Sequence, residues 1–215
     1  MIDTLVFDFD GTLMDTNNVI IQSWQHTYRT LTGREGDMDY ILGTFGEPLE
    51  ESMRNTFPDV PAEEAVDVYR SWHREHFWEM IELFPGIREM LDEVKKRGYK
   101  TGIATSRVEK TLYQGLDKYD LRDYFDEIIA AEEVKHHKPD PECIYKVLDK
   151  LHTAPERAAM IGDTRLDMMC AHNAGAKAIL VSWSLSLAGK RIEDFPEEES
   201  PDCIIETAMD LFNAI

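Results

Sequence analysis

From Phe84 onward the chain alternates short apolar runs rich in strand-forming residues with longer amphipathic stretches, and that alternation restricts the fold more than any other feature. The runs are "YKTGIA" at 99–104, "EIIAA" at 127–131, "AAMIG" at 158–162, "KAILVS" at 177–182 and "DCIIE" at 202–206. Between them lie helical patterns. "GIREMLDEVKKRG" sets Ile87, Met90, Leu91 and Val94 on one face, crowds basic residues into its last turn and stops at Gly98. "VEKTLYQGLDKYDL", "PECIYKVLDKL" and "RLDMMCAHNAG" follow the same logic. A sixth run, "TLVFDF", opens the chain. Strands separated by helices imply a mainly parallel sheet covered on both faces, an α/β class.

The region from Thr16 to Leu83 breaks this rhythm. "NNVIIQSWQHTYRTLTG" places Ile20, Trp24, Tyr28 and Leu31 at helical spacing, and "PAEEAVDVYRSWHREHFWEMI" reads as a second, longer helix with no convincing strand nearby. The expected organisation is a core of residues 1–15 and 84–215 with a helical cap at 16–83, hinged near Asp15 to Asn17 and Leu83 to Gly86. A helical decoration packed permanently on the sheet is the alternative.

The 215 residues are 43% hydrophobic, enough for one sizeable core and a smaller second one. Forty-two acidic residues against 23 basic ones give a net charge of −19, which argues against nucleic acid as a partner. A small anion would bind only where local cations, backbone N–H groups or a metal reverse the field. Cys143, Cys170 and Cys203 are widely spaced and form no C-x-x-C motif, so neither a disulfide framework nor a zinc cluster is expected. The N-terminal apolar run is broken by Asp8 and Asp10, and no uninterrupted apolar stretch of about 18 residues occurs. A soluble cytoplasmic protein with no membrane partner is the expectation.

"LVFDFDGTLMDT" concentrates Asp8, Asp10 and Asp15 beside one strand. Residues two apart on a strand point the same way, so Asp8 and Asp10 converge if the strand ends there, as the following Gly11-Thr12 turn suggests. Carboxylates so close either share a proton or hold a cation, and Mg²⁺ suits one or two carboxylates with room left for substrate oxygens. Further polar signals follow other strands: Thr105 and Ser106 in "GIATSR", Lys138 ahead of Pro139 in "HHKPDP", and Asp163 with Asp167 one turn later in "MIGDTRLD". Individually each has an ordinary structural explanation. Together they assemble carboxylates for a metal and hydroxyl and ammonium groups for a phosphate.

In this order the segments resemble the four motifs of the haloacid dehalogenase-like hydrolase superfamily: "DFDGT" at 8–12, "TS" at 105–106, "KPDP" at 138–141 and "GDTRLD" at 162–167. The resemblance implies a Rossmann-like core with a helical cap inserted after the first motif. It also implies Asp8 as nucleophile and Mg²⁺ ligand, and Asp10 as acid/base whose backbone carbonyl reaches the metal. Asp163 and Asp167 would be further ligands, and Thr105 and Lys138 the phosphoryl-holding catalytic groups. Carbon–halogen hydrolases of the superfamily typically have an aromatic residue where this chain has Asp10, so a phosphatase for a small phosphorylated metabolite is expected.

In the cap, "GTFGEPLEE" from Gly43 to Glu51 is the expected specificity loop, its Gly46 to Leu49 similar to the loop of phosphoglycolate phosphatases and related pyrophosphatases. The expected substrate contacts are Gly11, Thr12 and Ser106 in the core and Gly46 and Glu47 in the cap. β-Phosphoglucomutases often carry an arginine in this loop; here Glu47 stands there, though Arg54, Arg70 or Arg74 could reach in from other helices. A phosphosugar mutase and a non-catalytic metabolite-binding regulator remain the alternatives. Trp72, Phe77 and Trp78 are expected in the cap core, and His73, His76, His136 and His137 as solvated side chains. "WSLSLAGK" at 183–190 departs from the glycine-rich turn usual in the superfamily.

Overall fold

A computed structural model describes residues 1–185 and 189–215; residues 186–188, inside the divergent 183–190 segment, lie outside the described residues. The strands are β1 (Thr4–Phe7), β2 (Met14–Asp15), β3 (Glu82–Leu83), β4 (Lys100–Ala104), β5 (Glu127–Ile129), β6 (Ala158–Gly162), β7 (Lys177–Val181) and β8 (Cys203–Ile205). The helices are α1 (Asn17–Thr32), α2 (Met38–Gly43), α3 (Leu49–Thr56), α4 (Ala62–Met80), α5 (Ile87–Arg97), α6 (Glu109–Lys118), α7 (Glu142–Leu151), α8 (Arg165–Ala174) and α9 (Leu211–Ala214).

Six strands form one sheet in the order β5-β4-β1-β6-β7-β8, with every pairing parallel. All six were expected from the apolar runs. β1 is central, with Thr4 opposite Lys100 on one side and Ala158 on the other. The chain winds outward from β1 through β4 to β5, then crosses to β6, so the strand order reverses beside β1. At such a reversal the carboxyl ends of neighbouring strands diverge and leave a crevice.

The alternation along β1 sorts the core. Leu5 and Phe7 lie in the cluster with Ile87, Leu91 and Leu112 of α5 and α6, whereas Val6 joins Ile144, Val147 and Met168 of α7 and α8. Gly98 and Gly175 stop α5 and α8 in left-handed conformation, each donating its N–H back to the last turn.

Residues 17–80 carry α1 to α4 and the loops between them, with apolar clusters of their own. Trp24 packs with Ile41, Met53, Phe57 and Tyr69, and Phe77 packs with Val19 and Ile81. Trp72 is half-buried against that second cluster, but Trp78 is half exposed rather than in the core, its indole near the Lys118 ammonium. One feature at the base of these helices was not expected: β2 and β3 pair antiparallel, Met14 with Leu83 and Asp15 with Glu82, in a two-residue ribbon linking both crossings. Among the described residues no helix is long and apolar enough to cross a membrane.

Candidate active site

β1 delivers Asp8 to the crevice, where its N–H still donates to Ile161 of β6 while its side chain has left the sheet. Gly11 then turns the chain at φ +74°, and a Cβ there would fall 2.1 Å from Asp163 Oδ2. Only glycine lets the loop after β1 approach the loop after β6 so closely.

Asp163 follows β6, and Asp167 sits in the first turn of α8. Asp167 and Thr164 form a reciprocal cap, in which Asp167 Oδ2 accepts from the Thr164 N–H at 3.0 Å and hydroxyl at 2.7 Å. Oδ1 of Asp167 is thereby left for Lys138, whose Nζ donates to it at 2.6 Å and to Asp8 Oδ1 at 3.0 Å. Asp8, Asp163 and Asp167 are all buried, and each offers an oxygen within 4.8 Å of the other two.

Three buried carboxylates beside one ammonium leave an excess of negative charge. Burial raises the Asp8 pKa from 3.8 to about 7, against the pull of Lys138, with Asp167 and Asp10 pushing the same way as burial. Burial works against the charge on Lys138, but Asp167 and Asp8 outweigh it and hold the ammonium protonated well above its ordinary range. An all-oxygen donor set with uncompensated negative charge fits a hard divalent cation such as Mg²⁺.

Thr105, at the end of β4, is buried, receives the Arg107 N–H at 3.2 Å and borders the same crevice as Ser106. Above these groups, between the sheet and the helices of residues 17–80, lies a cavity of about 440 Å³. Asp8, Asp10, Gly11, Lys138, Asp163 and Asp167 form its floor; Gly46, Glu47, Trp24, Tyr69 and His73 close it from above. Glu47 reaches across to Arg165 at 3.3 Å, and a Cβ on Gly46 would meet Thr164 at 3.0 Å. Arg70 and Arg74 of α4 border the cavity, whereas Arg54 is paired with Glu50. Thr12 does not border it; its hydroxyl makes a long 3.5 Å contact with Asp163 instead.

Asp10 stands apart from the carboxylate cluster. Its Oδ1 accepts from Nη1 of Arg107 at 2.6 Å. Sequence reasoning did not single out Arg107, nor Ser184, whose hydroxyl donates to Asp163 Oδ2 at 2.6 Å. Ser184 lies three residues beyond β7, at the same carboxyl edge of the sheet from which Asp8, Thr105 and Asp163 follow their strands. His73 is a correction: it is buried, not solvated, stacked between Tyr69 and Phe77, and burial together with the Arg107 charge lowers its pKa from 6.5 to about 3. His136 is exposed as expected, although Asp140 and Glu142 stand close enough to form a second oxygen–nitrogen cluster with it on the surface. Cys143 and Cys170 are free and distant in sequence, yet their sulfurs lie 3.7 Å apart behind the site.

Fold and site together define an α/β phosphatase built around a strand-end carboxylate. The chain belongs to the haloacid dehalogenase-like hydrolase family, which matches residues 5–181. It is 35% identical over 213 residues to the pyrophosphatase PpaX of Bacillus mycoides, covering 98% of this chain and 95% of that protein. PpaX of Bacillus cereus is 34% identical over 210 residues, covering 98% and 94%. Among solved structures, a haloacid dehalogenase-like family hydrolase from Streptococcus pneumoniae superposes with a TM-score of 0.86 at 28% identity, over 99% of this chain and 98% of that one.

Proposed function

We propose that this chain is a Mg²⁺-dependent phosphatase that hydrolyses a small phosphorylated metabolite, phosphoglycolate- or pyrophosphate-like, through an aspartyl-phosphate on Asp8. The observation that carries this reading is the contact of Asp8 with Lys138 inside a buried carboxylate cluster at the floor of the cavity.

Asp8 attacks phosphorus, and the bond from phosphorus to the leaving oxygen breaks as Asp10 gives that oxygen a proton. Asp10 then takes a proton from the water that attacks the phospho-aspartate, which releases inorganic phosphate and restores Asp8. Lys138 and Thr105 hold the phosphoryl oxygens, and Ser106 and the backbone at Gly11 frame them. Asp8, Asp163 and Asp167, with the Asp10 carbonyl, would hold Mg²⁺, which supplies charge compensation for the transferring group and keeps Asp8 ionised.

Residues 16–83 act in this reading as a cap over a core of residues 1–15 and 84–215, moving about the β2–β3 ribbon and bringing Gly46 and Glu47 to the substrate. The test is phosphate release from a panel of phosphoglycolate, pyrophosphate, sugar phosphates and nucleotides, with and without Mg²⁺, beside Asp8→Asn. Release that needs both metal and Asp8 is expected. Isomerised sugar phosphate with little free phosphate would instead identify a mutase, and binding with no turnover a regulator.

A further inference from the structure

Among the described residues, the buried side-chain polar atoms left without a hydrogen-bond partner are Thr16 Oγ1 and Arg107 Nε and Nη2. Both residues border the cavity above the carboxylates. Burying a donor unpaired is costly, and an arginine with one nitrogen engaged and two idle is an unusual expense inside a protein.

The geometry of Arg107 says which edge is idle. Nη1 is committed to Asp10, and the guanidinium is held from the cap side by the Phe77 ring, 4.1 Å from its central carbon, with Phe9 on the core side at 5.7 Å. What remains is the Nε–Nη2 edge, the planar fork whose two N–H groups match two oxygens of a carboxylate or phosphate. Arg70, Arg74 and Lys110 border the same cavity and set positive charge beside its carboxylates, in a chain whose net charge is −19.

We infer that Arg107 is a specificity-determining residue: its Nε–Nη2 fork holds a second anionic group, phosphate or carboxylate, carried by the leaving part of the substrate. This rests on the phosphatase reading above and narrows it. Asp10 serves the leaving oxygen in that reading, and Arg107 touches Asp10, so the second anion must be attached within a few bonds of the scissile one.

The test compares wild type, Arg107→Lys and Arg107→Met, with Mg²⁺, on two-anion substrates (pyrophosphate, phosphoglycolate) and one-anion substrates (methyl phosphate, p-nitrophenyl phosphate). Arg107→Met is expected to lower kcat/KM on the two-anion substrates by about tenfold to a hundredfold more than on the one-anion substrates, mostly through KM. Lysine, which keeps charge but not the fork, recovers only part of that difference. Preference for pyrophosphate or for phosphoglycolate tells which anion the fork takes. Equal losses on both classes would reduce Arg107 to a residue that positions Asp10 and overturn the inference; should the methionine variant not fold, the lysine variant's ratio decides alone. If wild type releases phosphate from nothing, the phosphatase reading fails separately. Calorimetric titration with methylenediphosphonate, phosphonoacetate and methylphosphonate then decides: an Arg107-dependent advantage for the two-anion probes sustains the inference, and its absence overturns it.

Discussion

The ammonium of Lys138 lies 2.6 Å from Oδ1 of Asp167, both side chains almost wholly buried, and the same nitrogen reaches Asp8 at 3.0 Å. One cation thus stands against two carboxylates, with Asp163 close behind. Removing it leaves buried negative charge without a partner, which typically costs about 3–5 kcal/mol. Lys138→Met should therefore destabilise the metal-free protein by about that amount at pH 8, and abolish measurable turnover with it. Urea unfolding with and without Mg²⁺ checks this, and added Mg²⁺ should recover part of the stability but not the activity.

Asp8→Asn should act in the opposite sense on stability. The folded pKa of Asp8 is raised to about 7 from 3.8, so the native protein holds a proton there that the unfolded chain has lost. Stability from this group is present at low pH and drains as pH rises from about 4 to about 7. Asparagine removes that drain. The variant should melt higher than wild type at pH 8 without metal, melt nearly equally at pH 4, and hydrolyse no substrate. Thermal melts at the two pH values, beside a phosphate-release assay, test both halves.

Asp8 and Asp163 were legible because each directly follows a strand, Asp167 because it caps the helix one turn later, and Lys138, nine residues beyond β5, because a proline follows it; each carries local chemistry of its own. Arg107 adjoins Ser106 and was nonetheless invisible, since its burial depends on Phe77, thirty residues earlier, folding down onto it from α4. The stripe of Tyr69, His73 and Phe77 at every fourth residue was the available hint that this face of α4 is dry. The Cys143–Cys170 contact joins α7 to α8 and exists only through tertiary packing. β2 and β3 are two residues each, shorter than any period a pattern can reveal.

His73 makes that dry face testable. Its folded pKa is lowered to about 3 from 6.5, chiefly by burial and then by Arg107, so the native state refuses a proton that the unfolded state accepts. The group's stability is fully present above pH 6.5 and is lost progressively as pH falls toward 3. At pH 5 the loss is about 2 kcal/mol. His73→Phe keeps a ring between Tyr69 and Phe77 and has nothing to protonate. Subtracting variant from wild type at each pH cancels the opposing titration of Asp8, and the difference should grow by about that amount between pH 7.5 and pH 5 in urea titrations.

Gly11 and Gly33 share nearly the same backbone, φ +74° and φ +70°, but differ in what a side chain would meet. At Gly33 a Cβ finds nothing within 4 Å; at Gly11 it falls 2.1 Å from Oδ2 and 2.5 Å from Cγ of Asp163. Alanine at either site incurs the left-handed backbone penalty of about 1–2 kcal/mol. Gly33→Ala should stop there, with Mg²⁺ dependence and kcat unchanged. Gly11→Ala must also displace the Asp163 carboxylate, which Ser184 holds at 2.6 Å, and so disturb the proposed metal site. We expect its half-saturating Mg²⁺ concentration to rise at least about tenfold, the scale found when a group that orients a metal ligand is lost. Activity measured across a Mg²⁺ titration of the two variants separates the cost of the turn, common to both, from the cost of crowding Asp163. An unchanged Mg²⁺ requirement in Gly11→Ala would mean that Asp163 does not hold the metal.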